Sequence, residues 1–98
     1  MPQLDWSSEA LGDLQDLRDY IAEQNRTAAA RLFLRVVEQA SLLMTQPNLG
    51  RPGRVRGTRE LVVPGTPFII AYAVLDKDKT RILAVRHGTR LWPRSFDS

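Results

Sequence analysis

Apolar residues fall at steps of three and four through Ala10, Leu14, Leu17 and Ile21, while Asp13, Asp16, Asp19 and Glu23 lie largely on the opposite side of the same spiral. That spacing predicts an amphipathic helix reaching about Gln24. The residues ahead of it, Gln3-Leu4-Asp5-Trp6, alternate polar and apolar as a short strand does. Ser7-Ser8 supplies N-cap side chains, and Glu9 falls in the first turn, where the helix dipole favours a carboxylate. Asn25-Arg26-Thr27 breaks the pattern and offers a second cap. Ala29, Leu32, Phe33, Val36, Val37, Ala40, Leu43 and Met44 then form a broader stripe, and so short a connection makes the two helices an antiparallel hairpin.

Four prolines and glycines in positions 47–53 stop the second helix near Gln46 and start a loop. Beyond it the pattern is that of strands. Glu60-Leu61-Val62-Val63, the run from Phe68 to Leu75 and the run from Thr80 to Val85 are rich in β-branched and aromatic residues. Pro64-Gly65-Thr66-Pro67 and Asp76-Lys77-Asp78-Lys79 separate them with turn chemistry. The three runs predict a meander whose central strand is the almost wholly apolar middle one. The order β-α-α-β-β-β describes an α+β fold, with the hairpin packed on one face of a small antiparallel sheet and the first strand pairing at an edge. A chain of 98 residues accommodates one such domain, 1–98, and contains no internal repeat.

Charge divides the chain. Residues 1–46 hold seven acids against four bases, a net of −3, and residues 47–98 hold ten bases against four acids, a net of +6. Twelve of the fourteen bases are arginine, whose planar fork grips phosphates and carboxylates, so an anionic partner is expected. The chain has no cysteine, which excludes disulfides, thiolate catalysis and cysteine-based metal sites; with a single histidine, neither a metal nor another cofactor is expected. No apolar run approaches the roughly 20 residues of a membrane span, and the first residues lack the features of a secretory signal, so no membrane partner and a cytoplasmic location are expected.

Two basic segments carry the candidate chemistry. In the first, Arg51, Arg54, Arg56 and Arg59 stand among Gly50, Gly53 and Gly57, which leave the backbone free to approach an anion. The same residues also suit a solvated loop. The second runs from Arg86 through His87 and Arg90 to Trp92 and Arg94. RNA cleavage through the 2′-hydroxyl needs a base, an acid and a cation, roles that His87, Glu60 and Arg86 or Arg90 are chemically able to fill. His87 is equally suited to bonding a backbone group at a strand end. Successive strand residues point to opposite faces, so Arg86 and His87 share one site only if the strand has already ended. Trp92 offers a stacking surface for a base, or an apolar anchor that folds the tail back on the sheet. The helix acids read as a solvated face.

The chain as a whole resembles the RelE/ParE superfamily of toxins from type II toxin–antitoxin systems. The resemblance rests on Leu4-Asp5-Trp6-Ser7 leading into Ala10 and Asp13-Leu14, on Tyr20-Ile21, and on Pro47-x-Leu49-Gly50-Arg51-Pro52-Gly53-Arg54. It continues through Gly57-Thr58-Arg59-Glu60, Ile70-x-Tyr72 and Val85-x-His87-x-x-Arg90-x-Trp92-Pro93, and so spans about residues 3–93. It implies a growth-arresting toxin held in check by an acidic, helical antitoxin, with operator DNA bound only through the antitoxin complex. Ribonuclease members carry an arginine where this chain has Phe68, and a tyrosine or histidine near the C-terminus where it has Leu91-Trp92-Pro93. The long hairpin and Val85-x-His87 look more like the ParE branch, whose characterised members poison DNA gyrase without cutting RNA. The resemblance therefore implies a non-enzymatic inhibitor, with ribosome-dependent mRNA cleavage by His87, Arg59 and Arg90 as the alternative. Target contacts are expected from Arg51, Arg54, Arg56, Arg59, Arg86, Arg90 and Trp92.

Overall fold

The computed structural model describes residues 1–23, 25–88, 92 and 96. Strand β1 (Gln3–Trp6) is followed by helices α1 (Ser8–Ala22) and α2 (Arg26–Leu42), and then by β2 (Arg51–Pro52), β3 (Arg59–Val62), β4 (Phe68–Asp76) and β5 (Lys79–His87). The five strands form one sheet in the order β1-β5-β4-β3-β2. Among the described residues its only parallel pair is β1 with β5, which puts the first strand at an edge and the apolar β4 in the middle. No described helix is long and apolar enough to cross a membrane.

The helix ends follow from capping. Ser7 Oγ accepts from the Ala10 amide at 3.1 Å and donates to the Leu83 carbonyl at 3.1 Å, so one hydroxyl caps α1 and ties it to β5. Asn25 Oδ1 accepts from the Ala28 amide at 3.0 Å to cap α2. Because this cap is solvent-exposed and local, Asn25→Ala should cost about 1 kcal/mol, read from the urea midpoint, and Asn25→Asp should restore it.

Helix α2 stops four residues short of the expected Gln46. Its apolar period continues, and Leu43 is fully buried, but Leu43 and Met44 bond to the carbonyls three residues back, which tightens the last turn out of α geometry. At the other end of the chain the strands run longer than expected. Asp76 pairs directly with Lys79, so the turn contracts to Lys77-Asp78, closed by Asp76 Oδ1 accepting the Asp78 amide at 2.8 Å. Strand β2 was not expected at all. Proline confines it to an edge, where two residues pair with β3 through Arg51↔Glu60 and Pro52↔Arg59.

The helical hairpin buries Ala10, Leu14 and Leu17 of α1 and Val36 and Ala40 of α2, with Leu43 just beyond, against Ile70, Tyr72, Ile82 and Val85 of the sheet. Residues alternating with these on the strands, Ile69 and Ala71, are also buried, together with Val55 from the loop after β2. The second sheet face is therefore covered as well. Where β1 ends at Trp6, α1 takes over the outer edge of β5: the Ser7 amide donates to the Ile82 carbonyl, and Asp13 Oδ2 accepts the Val85 amide at 3.1 Å.

Candidate functional site

The basic segment around β2 and β3 closes on a buried carboxylate. Thr58 Oγ1 donates to the Val55 carbonyl, the Gly53 amide donates to the Thr58 carbonyl, and Gly57 takes a left-handed φ of +81°, so residues 53–58 form a tight turn plugged by Val55. That turn brings Arg54 back over Glu60, which is 3% exposed. Glu60 Oε2 accepts from the Arg54 amide at 2.7 Å and from its Nε at 3.1 Å, while Oε1 accepts from Arg54 Nη2 at 3.2 Å. Arg51 Nη2 lies 3.5 Å from Oε1. The remaining side of Arg54 is also occupied: Nη1 donates to the Gly88 carbonyl, and the guanidinium lies 4.3 Å over the Trp92 ring.

Burial opposes ionisation of Glu60, but the Arg54 amide and guanidinium, with Arg51, more than offset it and hold the carboxyl below its ordinary range. This is a correction to Glu60 as a candidate proton donor: a buried carboxylate inside a clamp of three donors from one arginine is a structural anion. Asp5 is lowered too, chiefly by its hydrogen bond to Arg81 Nε at 2.8 Å. A carboxyl whose folded pKa is depressed contributes stability that is fully present above its unfolded pKa and lost as pH falls through the folded one. The urea midpoint should therefore be flat from neutrality to about pH 5 and fall below it, with a shallower fall in Glu60→Gln.

Tyr72 fastens the preceding loop. Its hydroxyl is buried, accepts from the Gly50 amide at 2.8 Å and donates to the Pro47 carbonyl at 2.7 Å. Burial raises its pKa. Gly50 packs so closely that an added Cβ would meet the Glu60 carbonyl oxygen and the Tyr72 hydroxyl, both at 2.7 Å. Arg59 Nη1 donates to the Gly50 carbonyl at 2.6 Å, so Arg59 braces the loop from the other side. Arg51 and Arg56 are exposed.

On β5 the strand runs through His87, so Arg86 and His87 diverge as alternation requires. The Arg86 side chain is 17% exposed: Nη2 donates to Glu9 Oε2 at 2.9 Å and Nε lies 3.6 Å from Asp13 Oδ2. Asp13, half-buried, is thus not part of a solvated face, a correction that its four-residue spacing from Glu9 on one side of α1 could have signalled; Glu9 stays exposed while it holds Arg86. His87 is exposed and meets Phe68, its register partner, edge to face at 5.8 Å. Trp92 is half-buried, against Phe96 as well as Arg54. Arg90, Leu91, Pro93 and Arg94 lie outside the described residues. The structure thus gathers Arg51, Arg54, Arg59 and Trp92 around Glu60 and Gly50, and places Arg86 and His87 by α1, at the end of β5.

Residues 4–92 match the family model described as ParE toxin of type II toxin–antitoxin system, parDE. The chain is 38% identical to Y4kP of Sinorhizobium fredii over 91% of each chain. It is 37% identical to Toxin RelE2 of Caulobacter vibrioides, with 93% of this chain and all of that protein covered. The fold superposes on the chromosomal ParDE toxin–antitoxin system of P. aeruginosa with a TM-score of 0.79 and 29% identity, over 89% of this chain and 96% of that one. The helical hairpin on its meander and the near full-length matches agree, and the chain belongs to the ParE toxin family of the RelE/ParE superfamily, as the toxin of a type II toxin–antitoxin system.

Proposed function

We propose that this toxin is a single-domain, cytoplasmic, ParE-like inhibitor that binds DNA gyrase without catalysis and is neutralised by a cognate antitoxin, which also carries the pair to operator DNA. The observation that carries the reading is the Arg54–Glu60 clamp. The acid best placed in the basic segment is buried and fully bonded, and Arg54 and Arg86 are engaged in fastening the loop and α1. Arg51 and Arg56, both exposed, and Arg59 at the β2–β3 edge then supply cationic contacts to a macromolecular surface. The ParE family match and the ParDE neighbour support the same reading. Purified toxin added to a ribosome-containing translation reaction should leave the mRNA intact by primer extension; codon-specific cleavage there would overturn it.

The second reading is RelE-like mRNA cleavage, favoured by the exposure of His87 and by the likeness to Toxin RelE2. It requires His87→Ala to abolish growth arrest while antitoxin binding persists. On the binding reading, His87→Ala remains toxic.

A further inference from the structure

Phe68 is a wall common to two clefts that differ in charge. On the α1 side the lining includes Asp13, Asp16, Leu17, Val85 and His87. On the α2 side it includes Arg31, Leu32, Arg35 and Thr66. At the first end Arg86 and Asp13 offset one another, leaving Asp16, which is exposed and has no polar partner among the described residues. At the other end Arg31 and Arg35 stand one helical turn apart on α2, both exposed. Arg35 donates only Nη1 to the Pro64 carbonyl, and Arg31 has no polar partner among the described residues. Between the charged ends the floor is apolar, formed by Leu17, Phe68 and Leu32.

We propose that this groove is a polarised seat for one segment of the antitoxin, which lays an apolar side chain over Phe68, a carboxylate toward Arg31 and Arg35, and a basic group toward Asp16. The proposal rests on the toxin–antitoxin reading and adds to it the direction in which the partner runs. A polyanion such as nucleic acid would meet repulsion at the Asp16 end, so the charge pattern selects a partner of mixed sign. A second copy of the chain fits less well, because two concave grooves facing each other leave both unfilled. Opposed charges at the two ends also penalise a segment laid in reverse, which makes them determinants of pairing as well as of affinity.

The test is calorimetric titration of the toxin with its cognate antitoxin, using Arg31→Glu and Asp16→Lys, two exposed positions, with circular dichroism to show that each variant is folded. Each variant should bind about tenfold more weakly, and the double variant more weakly still. Affinities within about twofold of wild type in both variants would overturn the groove as the seat. So would a change in toxin self-association on gel filtration with antitoxin affinity unaltered, which would assign the groove to a second copy. Absence of binding by the wild-type toxin would instead contradict the toxin–antitoxin reading beneath it.

Discussion

Arg54→Ala is expected to lower the unfolding free energy by about 3 kcal/mol, seen as a lower urea midpoint at unchanged slope. The substitution leaves Glu60, 3% exposed, with its charge and without the fork that holds both oxygens. Breaking a buried pair by removing one partner typically costs about 3–5 kcal/mol; the lower end applies because the Arg54 side chain is 39% exposed and Arg51 stays within 3.5 Å. Arg54 also stacks on Trp92 and reaches the Gly88 carbonyl, so the loss extends from the 53–58 turn to the end of β5. Arg54→Lys should recover only part of the loss, since an ammonium cannot span both carboxylate oxygens. In the double variant Arg54→Ala/Glu60→Ala the cost should be well below the sum of the singles, because the orphaned charge is gone. A loss below about 1 kcal/mol in Arg54→Ala would show that the clamp is decorative.

Tyr72→Phe is expected to cost about 2 kcal/mol, although it removes one oxygen atom from a fully buried ring. The hydroxyl serves both the Gly50 amide and the Pro47 carbonyl, and its loss leaves a buried donor without a partner. The effect should appear as faster amide exchange at Gly50 as well as a lower midpoint. Gly50→Ala presses on the same hydroxyl and on the Glu60 carbonyl. The two changes should therefore be non-additive, and full additivity would contradict the geometry.

Periodicity carried most of the fold. The stripe from Ala29 to Met44 and the apolar run of β4 define their own partners, because each has a face or a length that only one layer arrangement buries. Strand β2 was illegible, since an Arg-Pro dipeptide among glycines has neither period nor propensity and becomes a strand only when β3 presents Glu60 and Arg59 to it. The site was less legible than the fold for a related reason. Arginine content announced an anion-binding segment, yet whether a given arginine is available depends on contacts far apart in the chain. Arg86 meets Glu9 and Asp13, more than seventy positions away, and Arg54 meets Glu60 only because Gly57 turns the loop back. Tyr72 stood only as one residue of the apolar β4 run, and no local signal marks the two loop contacts of its hydroxyl.

These contacts separate the cations of the basic half into those that build it and those it presents. Arg54 and Arg86 hold the loop and α1 in place, while Arg51 and Arg56 face outward. A surface assembled this way is suited to holding a partner. The most direct measurement is supercoiling of relaxed plasmid by purified DNA gyrase with the toxin titrated in. Gyrase inhibition predicts a dose-dependent loss of supercoiling that the antitoxin reverses and that His87→Ala leaves in place. Unchanged supercoiling at saturating folded toxin would contradict it.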